Sequence, residues 1–249
     1  MLSDQTKVLQ FRGLLGVWVE VSSTLIMLAL LFVLLSGAGG HTLVVIAMLV
    51  GSIYLHELGH AWGNIVQGVP VRRIVLHGGG GFCESAGTAT ARQQEFVVAM
   101  GPIVNLALWA LASLGEYYLW ERVLSPARSA EEFGRLMQTI WPQVAVYLVL
   151  FGKINLALCV FNLLPVQPLD GGKLIKLALQ RFMPPAAALK IAGGIGLVFS
   201  ILWWPALFLV YASTGWLLLF APSLYLHLAM WRGEIPQAAV TNRSPRQFH

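Results

Sequence analysis

The sequence predicts an all-α polytopic membrane protein, with about six transmembrane helices in one membrane-embedded domain over residues 1–249. A small β-hairpin at the membrane edge is expected after the second helix. Three observations carry this reading. Hydrophobic residues make up 57% of the chain and charged residues 11%, whereas a soluble domain holds about 25% charged residues. Mean hydropathy is +0.71. Apolar runs also recur at the length of about 20 residues that the core of a bilayer demands of a helix.

The first run extends from about Leu14 to Leu35. Its apolar stretch is longer than the roughly 7–15 residues of a signal peptide, so it reads as a retained helix. The second extends from Thr42 to Val66, the third from Phe96 to Leu114, the fourth from Ile140 to Leu164, the fifth from Ala187 to Trp203 and the sixth from Pro205 to Met230. Pro205 is expected to separate the last two, because proline interrupts a helix, and the paired tryptophans before it suit a water interface. The core of the domain is expected over about 42–183. The runs at 14–35 and 187–230 would act as packing helices or as a gate for lateral access from lipid, with "AGGIG" at 192–196 permitting close contact. Glu116–Arg135 reads as an extracytoplasmic loop with a short amphipathic segment. The polar tail over about 233–249 reads as disordered.

Between the second and third runs, "VPVRRIVLHGGGGFCESAGTATA" alternates, carries β-branched residues and is broken by four glycines. Two strands fit this pattern, and a glycine-rich loop fits it equally. A strand edge there would be open to strand addition by an extended chain, with Glu84 at the rim.

The net charge of +5 is small, and the basic residues lie in short clusters between apolar runs. That pattern orients a chain in a bilayer and offers no stripe for nucleic acid. With a cytoplasmic N-terminus, only Arg122, Arg128 and Arg135 of the basic residues outside the spans face the opposite side. The asymmetry favours cytoplasmic termini and brings the C-terminal ends of the second and fourth helices to the cytoplasmic side. Cys83 and Cys159 make neither a disulfide framework nor a metal knuckle.

Two motifs sit at those ends. "HELGH", residues 56–60, places His56 and His60 four apart on one helix face with Glu57 beside them. This is the arrangement of zinc hydrolases. Imidazole suits zinc, which takes three protein ligands in a catalytic site and lowers the pKa of its water to about 7. Glu57 would act as general base and then as acid. Ionisable groups inside a span are costly and are usually functional, which favours metal binding over two structural histidines. The second motif is "FNLLPVQPLDGGK", residues 161–173. Pro165 and Pro168 stop the fourth helix, and Asp170 follows on an extended segment before two glycines. Asp170 is the expected third ligand. Its alternative role is to cap the short basic helix that starts near Lys173.

"HELGH", "MGPIVNLAL" and "NLLPVQPLDGG", in this order over about residues 45–180, resemble the site-2 protease family of intramembrane zinc metalloproteases. The resemblance implies one zinc on His56, His60 and Asp170, with Glu57 catalytic and Asn162 in a supporting polar role. It also implies cleavage of a transmembrane protein substrate near the cytoplasmic face, as in regulated intramembrane proteolysis. The apolar loops are expected to leave no room for an inserted PDZ domain, and the short tail none for a pair of CBS domains, both found in some members.

Asn105 shares a helix face with Gly101. It would steady substrate or transition state, or else hydrogen-bond a neighbouring helix. Asn155 reads as polar glue between helices, and Lys153 as a carboxylate partner or a snorkelling side chain. His41, His77, His227 and His249 lack partners at ligand spacing and read as non-ligands, His77 being the nearest to an exception. Two rival functions remain, a transporter or ion channel and a zinc-binding membrane scaffold. Both would tolerate loss of Glu57, and a transporter would show internal repeats.

Overall fold

The structure is a computed structural model that describes residues 7–125, 129–214 and 220–234. In chain order its strands and helices are β1 (Lys7–Arg12), β2 (Trp18–Ser22), α1 (Ser23–Ser36), α2 (Gly40–Val66), β3 (Val71–His77), β4 (Gly80–Ser85), α3 (Ala91–Leu119), α4 (Ala130–Met137), α5 (Trp141–Asn162), α6 (Asp170–Leu179), α7 (Pro185–Thr214) and α8 (Leu224–Arg232). Four helical stretches, Gly40–Val66, Ala91–Val123, Trp141–Asn162 and Pro185–Ser213, are long and apolar enough to cross a membrane.

The expected hairpin is present as β3 and β4, but it belongs to a four-stranded sheet in the order β1-β2-β3-β4. Of the two extra strands, β2 comes from the segment read as the start of the first span, and β1 precedes that segment. Trp18–Ser22 alternates, and β2 pairs in parallel with β3, Val19 opposite Ile74 and Glu20 opposite Val75. Both Val19 and Ile74 are fully buried. Glu20 accepts from Arg73 at 2.6 Å and lies 3.7 Å from Lys7, so this acid is anchored in a sheet. Apart from a single 3-10 turn at Leu14–Gly16, Ser23–Ser36, 14 residues, is what remains helical. At 1.5 Å per residue that is about 21 Å, short of a hydrocarbon core of about 30 Å.

The fifth and sixth runs also differ from expectation. α7 continues through Pro205 to Thr214, and the shorter α8 follows. An apolar helix tolerates an internal proline where neighbouring groups satisfy the freed carbonyl. Within the segment expected to be amphipathic, α4 forms with Ser129 as its N-cap, the hydroxyl accepting from Glu132 N–H at 3.1 Å. The expected disorder of the tail concerns residues that, apart from Gly233 and Glu234, lie outside the described ones.

Close contacts divide the chain into two compact units. The first comprises Met1–His60, Arg73–Cys83 and Met100–Val160. It holds the sheet's β1, β2 and most of β3, and the turn before β2 is tied to α2 where Leu14 N–H donates to the Tyr54 hydroxyl at 2.9 Å. The second comprises Ala61–Arg72, Glu84–Ala99 and Phe161–His249. Its core joins Leu189, Ala192 and Met230, with Ile175, Leu179 and Leu226 packed around them. Phe161, Trp203 and Phe220 pack edge to face at 4.9–6.2 Å between ring centroids. Arg181 grips Glu95 through Nε at 2.9 Å and through Nη2.

Candidate metal centre

The HELGH segment lies in the second half of α2, where the helical repeat sets His56 and His60 on one face. Both are buried, and so is Glu57. Their Nε2 atoms are 3.1 Å apart, with the rings nearly perpendicular at a centroid distance of 4.7 Å. Two nitrogens bound to one tetrahedral zinc at about 2.05 Å would sit about 3.3 Å apart, so the two lone pairs converge as co-ligands do.

A row of buried amides fixes which nitrogen of His56 is free. Asn155 Nδ2 donates to Ser52 Oγ at 3.0 Å and to Phe151 O at 2.9 Å. Asn155 Oδ1 therefore accepts from Asn105 Nδ2, at 2.8 Å. That leaves Asn105 Oδ1 to face His56 Nδ1 at 2.5 Å, as the acceptor of an Nδ1–H bond. The proton is held on Nδ1, and the Nε2 lone pair is left for a metal. Asn105 and Asn155 are both fully buried. Sequence reasoning left Asn105 between substrate and helix contact and took Asn155 as glue. The one local mark of this row is Ser52, one helical turn before His56 on the same face, and it does not point to either asparagine.

Glycine makes this approach of helices possible. A Cβ on Gly59 would lie 2.7 Å from Met100 O, and one on Gly101 would lie 2.4 Å from His60 Nε2 and 2.6 Å from His56 Nε2. The imidazoles thus occupy the place of any side chain at 101. On the other side of Glu57 runs β4, where a Cβ on Gly81 would stand 2.6 Å from Glu57 Cγ. β4 is also an edge strand of the sheet.

Asp170 is buried and is the first residue of α6, so the N-cap position falls to Leu169 and not to the aspartate. Its negative charge suits the first turn of a helix. Lys173 Nζ donates to Asp170 Oδ1 at 3.0 Å. His56, His60 and Asp170 each offer one ligand atom, and the three atoms lie within 4.8 Å of one another. Two imidazoles and a carboxylate, all buried, form a donor set that fits zinc.

Asn162 is the half-buried last residue of α5, and Lys153 is exposed on α5. His77, on β3, accepts from Gly79 N–H through Nδ1 at 3.1 Å and is not in the donor set. Burial pushes its imidazole below the ordinary histidine range. His41 stacks on Tyr147 at 5.6 Å. His227, by contrast, is fully buried and hydrogen-bonded on both ring nitrogens.

Comparison with known proteins places this geometry in context. The profile of peptidase family M50 matches residues 44–203. A Synechocystis sp. protein named as a zinc metalloprotease is 33% identical over 135 residues, covering 54% of this chain and 31% of its own length. A Mycobacterium tuberculosis protein named as the zinc metalloprotease Rip3 is 33% identical over 153 residues, covering 59% and 32% respectively. Stage IV sporulation protein FB of Bacillus subtilis is 27% identical over 169 residues, covering 66% and 49%. The chain thus spans about a third to about a half of the length of these relatives. Among solved structures, a site-2 protease from Methanocaldococcus jannaschii matches with a TM-score of 0.58 at 21% identity, covering 90% of this chain and 92% of that one. At that identity the likeness speaks to the fold.

Proposed function

The chain belongs to peptidase family M50, the family of the site-2 proteases, and from that membership we propose that it is an intramembrane zinc endopeptidase. It hydrolyses a peptide bond within or near a transmembrane segment of a membrane-protein substrate, close to the cytoplasmic face. The observation that carries this reading is the pair of converging Nε2 atoms of His56 and His60, 3.1 Å apart, on a helix long and apolar enough to cross a membrane.

His56, His60 and Asp170 would hold the metal, one per chain. Bound there, zinc would supply Lewis acidity and lower the pKa of a water to about 7. Glu57 takes up the proton at its carboxylate and passes it to the leaving nitrogen. Asn105, backed by Asn155, keeps the His56 proton on Nδ1 and the ring in its plane. Asn162 supports the substrate carbonyl. The substrate chain, unwound because a helical peptide bond is already hydrogen-bonded, adds as a strand to the β4 edge beside Gly81 and Glu57.

The cytoplasmic orientation rests on charge. Arg72 and Arg73 follow α2, and Lys173, Lys176 and Arg181 follow α5, whereas Glu121, Glu131 and Glu132 accompany Arg122 and Arg135 in the segment between α3 and α5. Basic residues favour the cytoplasmic side.

The reading is tested with the full chain in proteoliposomes and a library of single-span peptides that carry helix-breaking residues at successive depths. Mass spectrometry locates each cut. Cleavage inside or at the edge of the apolar segment, stopped by a zinc chelator and restored by added zinc, is expected. Cleavage that persists after chelation, or cuts confined to water-exposed ends far from the span, would overturn it.

A further inference from the structure

We infer that His227 is a positioning residue for Asp170, acting through the main chain of the loop between α5 and α6. The inference rests on the reading of Asp170 as a zinc ligand.

The ring of His227 on α8 is fully buried. Its Nδ1 donates to Ser223 O, one turn earlier, at 2.8 Å, so Nε2 carries the lone pair and accepts from Gln167 N–H at 2.9 Å. Ser200 on α7 lies 3.3 Å from Nδ1, and its hydroxyl donates to Gly196 O at 2.7 Å. A Cβ on Gly196 would fall 2.0 Å from His227 Cδ2, so the imidazole fills the space of the absent side chain. One ring therefore ties α7, α8 and the loop together.

Gln167 is three residues before Asp170. The neighbouring amides bond locally: Leu164 N–H to Phe161 O, Val166 N–H to Leu164 O and Leu169 N–H to Val166 O. Pro165 and Pro168 have no N–H to offer. Gln167 N–H turns outward to the histidine instead. The residue's side chain does not hold it in place through Nε2, which is buried without a hydrogen-bond partner among the described residues. The loop in turn sets the first turn of α6. A Cβ on Gly171 would lie 2.1 Å from Leu163 O, and one on Gly172 would lie 2.5 Å from Val166 C and 2.8 Å from Gln167 N. With main chain packed on main chain, a shift of Gln167 is passed to the start of α6, where Asp170 stands. Zinc affinity is sensitive to such support, with losses of about 10–100-fold when an orienting partner is removed.

The test uses the full chain in detergent and four proteins: wild type, His227→Leu, His227→Gln and Asp170→Ala. Zinc dissociation constants come from competition with a chromophoric chelator, the ligand field from the visible spectrum of the cobalt-substituted proteins, and folding from thermal melting. His227→Leu is expected to bind zinc about 10–100-fold more weakly with an altered cobalt spectrum. His227→Gln, whose Oε1 can accept from Gln167 N–H, is expected to recover most of the affinity and the wild-type spectrum. If His227→Leu binds like wild type while Asp170→Ala loses its metal, the inference fails and the ligand reading stands. If Asp170→Ala keeps its metal, the ligand reading itself fails. Equal loss in the folded Leu and Gln variants would make His227 a packing residue and overturn the inference. Should His227→Leu not fold, His227→Met, which refills the volume flexibly, takes its place. Failure of both to fold would also overturn a positioning role.

Discussion

Glu57→Gln is expected to keep its zinc and to lose peptide-bond hydrolysis by at least about 100-fold, the lower range for a general acid–base group. The change is nearly isosteric. The amide fills the same buried space beside Gly81 and retains hydrogen-bonding capacity, but it cannot take up a proton. Because Glu57 is not in the donor set of His56, His60 and Asp170, metal content should not change. The loss should appear in kcat with KM little altered, since the interaction matters once the proton moves. Measuring zinc content and single-turnover cleavage on the same preparation separates the two effects. A transporter or a scaffold would be indifferent to this substitution, so undiminished cleavage by Glu57→Gln would remove the mechanism.

Gly101→Val is the second large effect. Its Cβ would stand 2.4 Å from His60 Nε2 and 2.6 Å from His56 Nε2, well inside the roughly 3.5–4.0 Å optimum for non-bonded heavy atoms. The imidazoles must leave their positions, and with them the bond from His56 to Asn105. A fall in zinc affinity of at least about 10-fold is expected, by the scale of disturbed ligand support. Gly115→Ala on the same helix is the control, because a Cβ there meets Leu148 only at 3.6 Å. It should bind zinc like wild type. Equal zinc affinity in both variants would show that the close approach of α3 does not shape the site.

What could be read from the sequence follows from which physical signals are local. The apolar runs expected at 42–66, 96–114 and 140–164 survive as the helices 40–66, 91–119 and 141–162 because hydrophobic length is a strong signal for a bilayer. The hairpin was legible at Val71–Ser85 from alternation and its glycines. The family was legible in HELGH and in the turn that ends in Asp170, since the profile that matches residues 44–203 contains both. The N-terminal strands were hidden because β-branched and aromatic residues in "GVWVEVS" satisfy an apolar window as well as a strand does. Glu20 was the overlooked sign, and its partner Arg73 is 53 residues away. Pro205 was given the weight it has in water, where a freed carbonyl and a clash end a helix, yet α7 passes through it.

The support of the site was less legible than its ligands. His56 and His60 announce themselves by a spacing of four, but the row from Ser52 through Asn155 and Asn105 to His56 joins three helices. Nothing in local periodicity pairs Asn105 with Asn155. His227 reads as an isolated histidine for the same reason. Its partner is a main-chain amide 60 residues earlier, and a main-chain donor leaves no mark on side-chain pattern.

The central claim is that HELGH and the aspartate after the double-proline turn form one zinc site. The most direct measurement is zinc per chain, by atomic emission, in detergent-purified wild type and Asp170→Ala after identical zinc supplementation and gel filtration. About one zinc per wild-type chain is predicted, with most of it lost from a folded Asp170→Ala. A wild type without zinc, or an Asp170→Ala chain that retains a full equivalent, would contradict it.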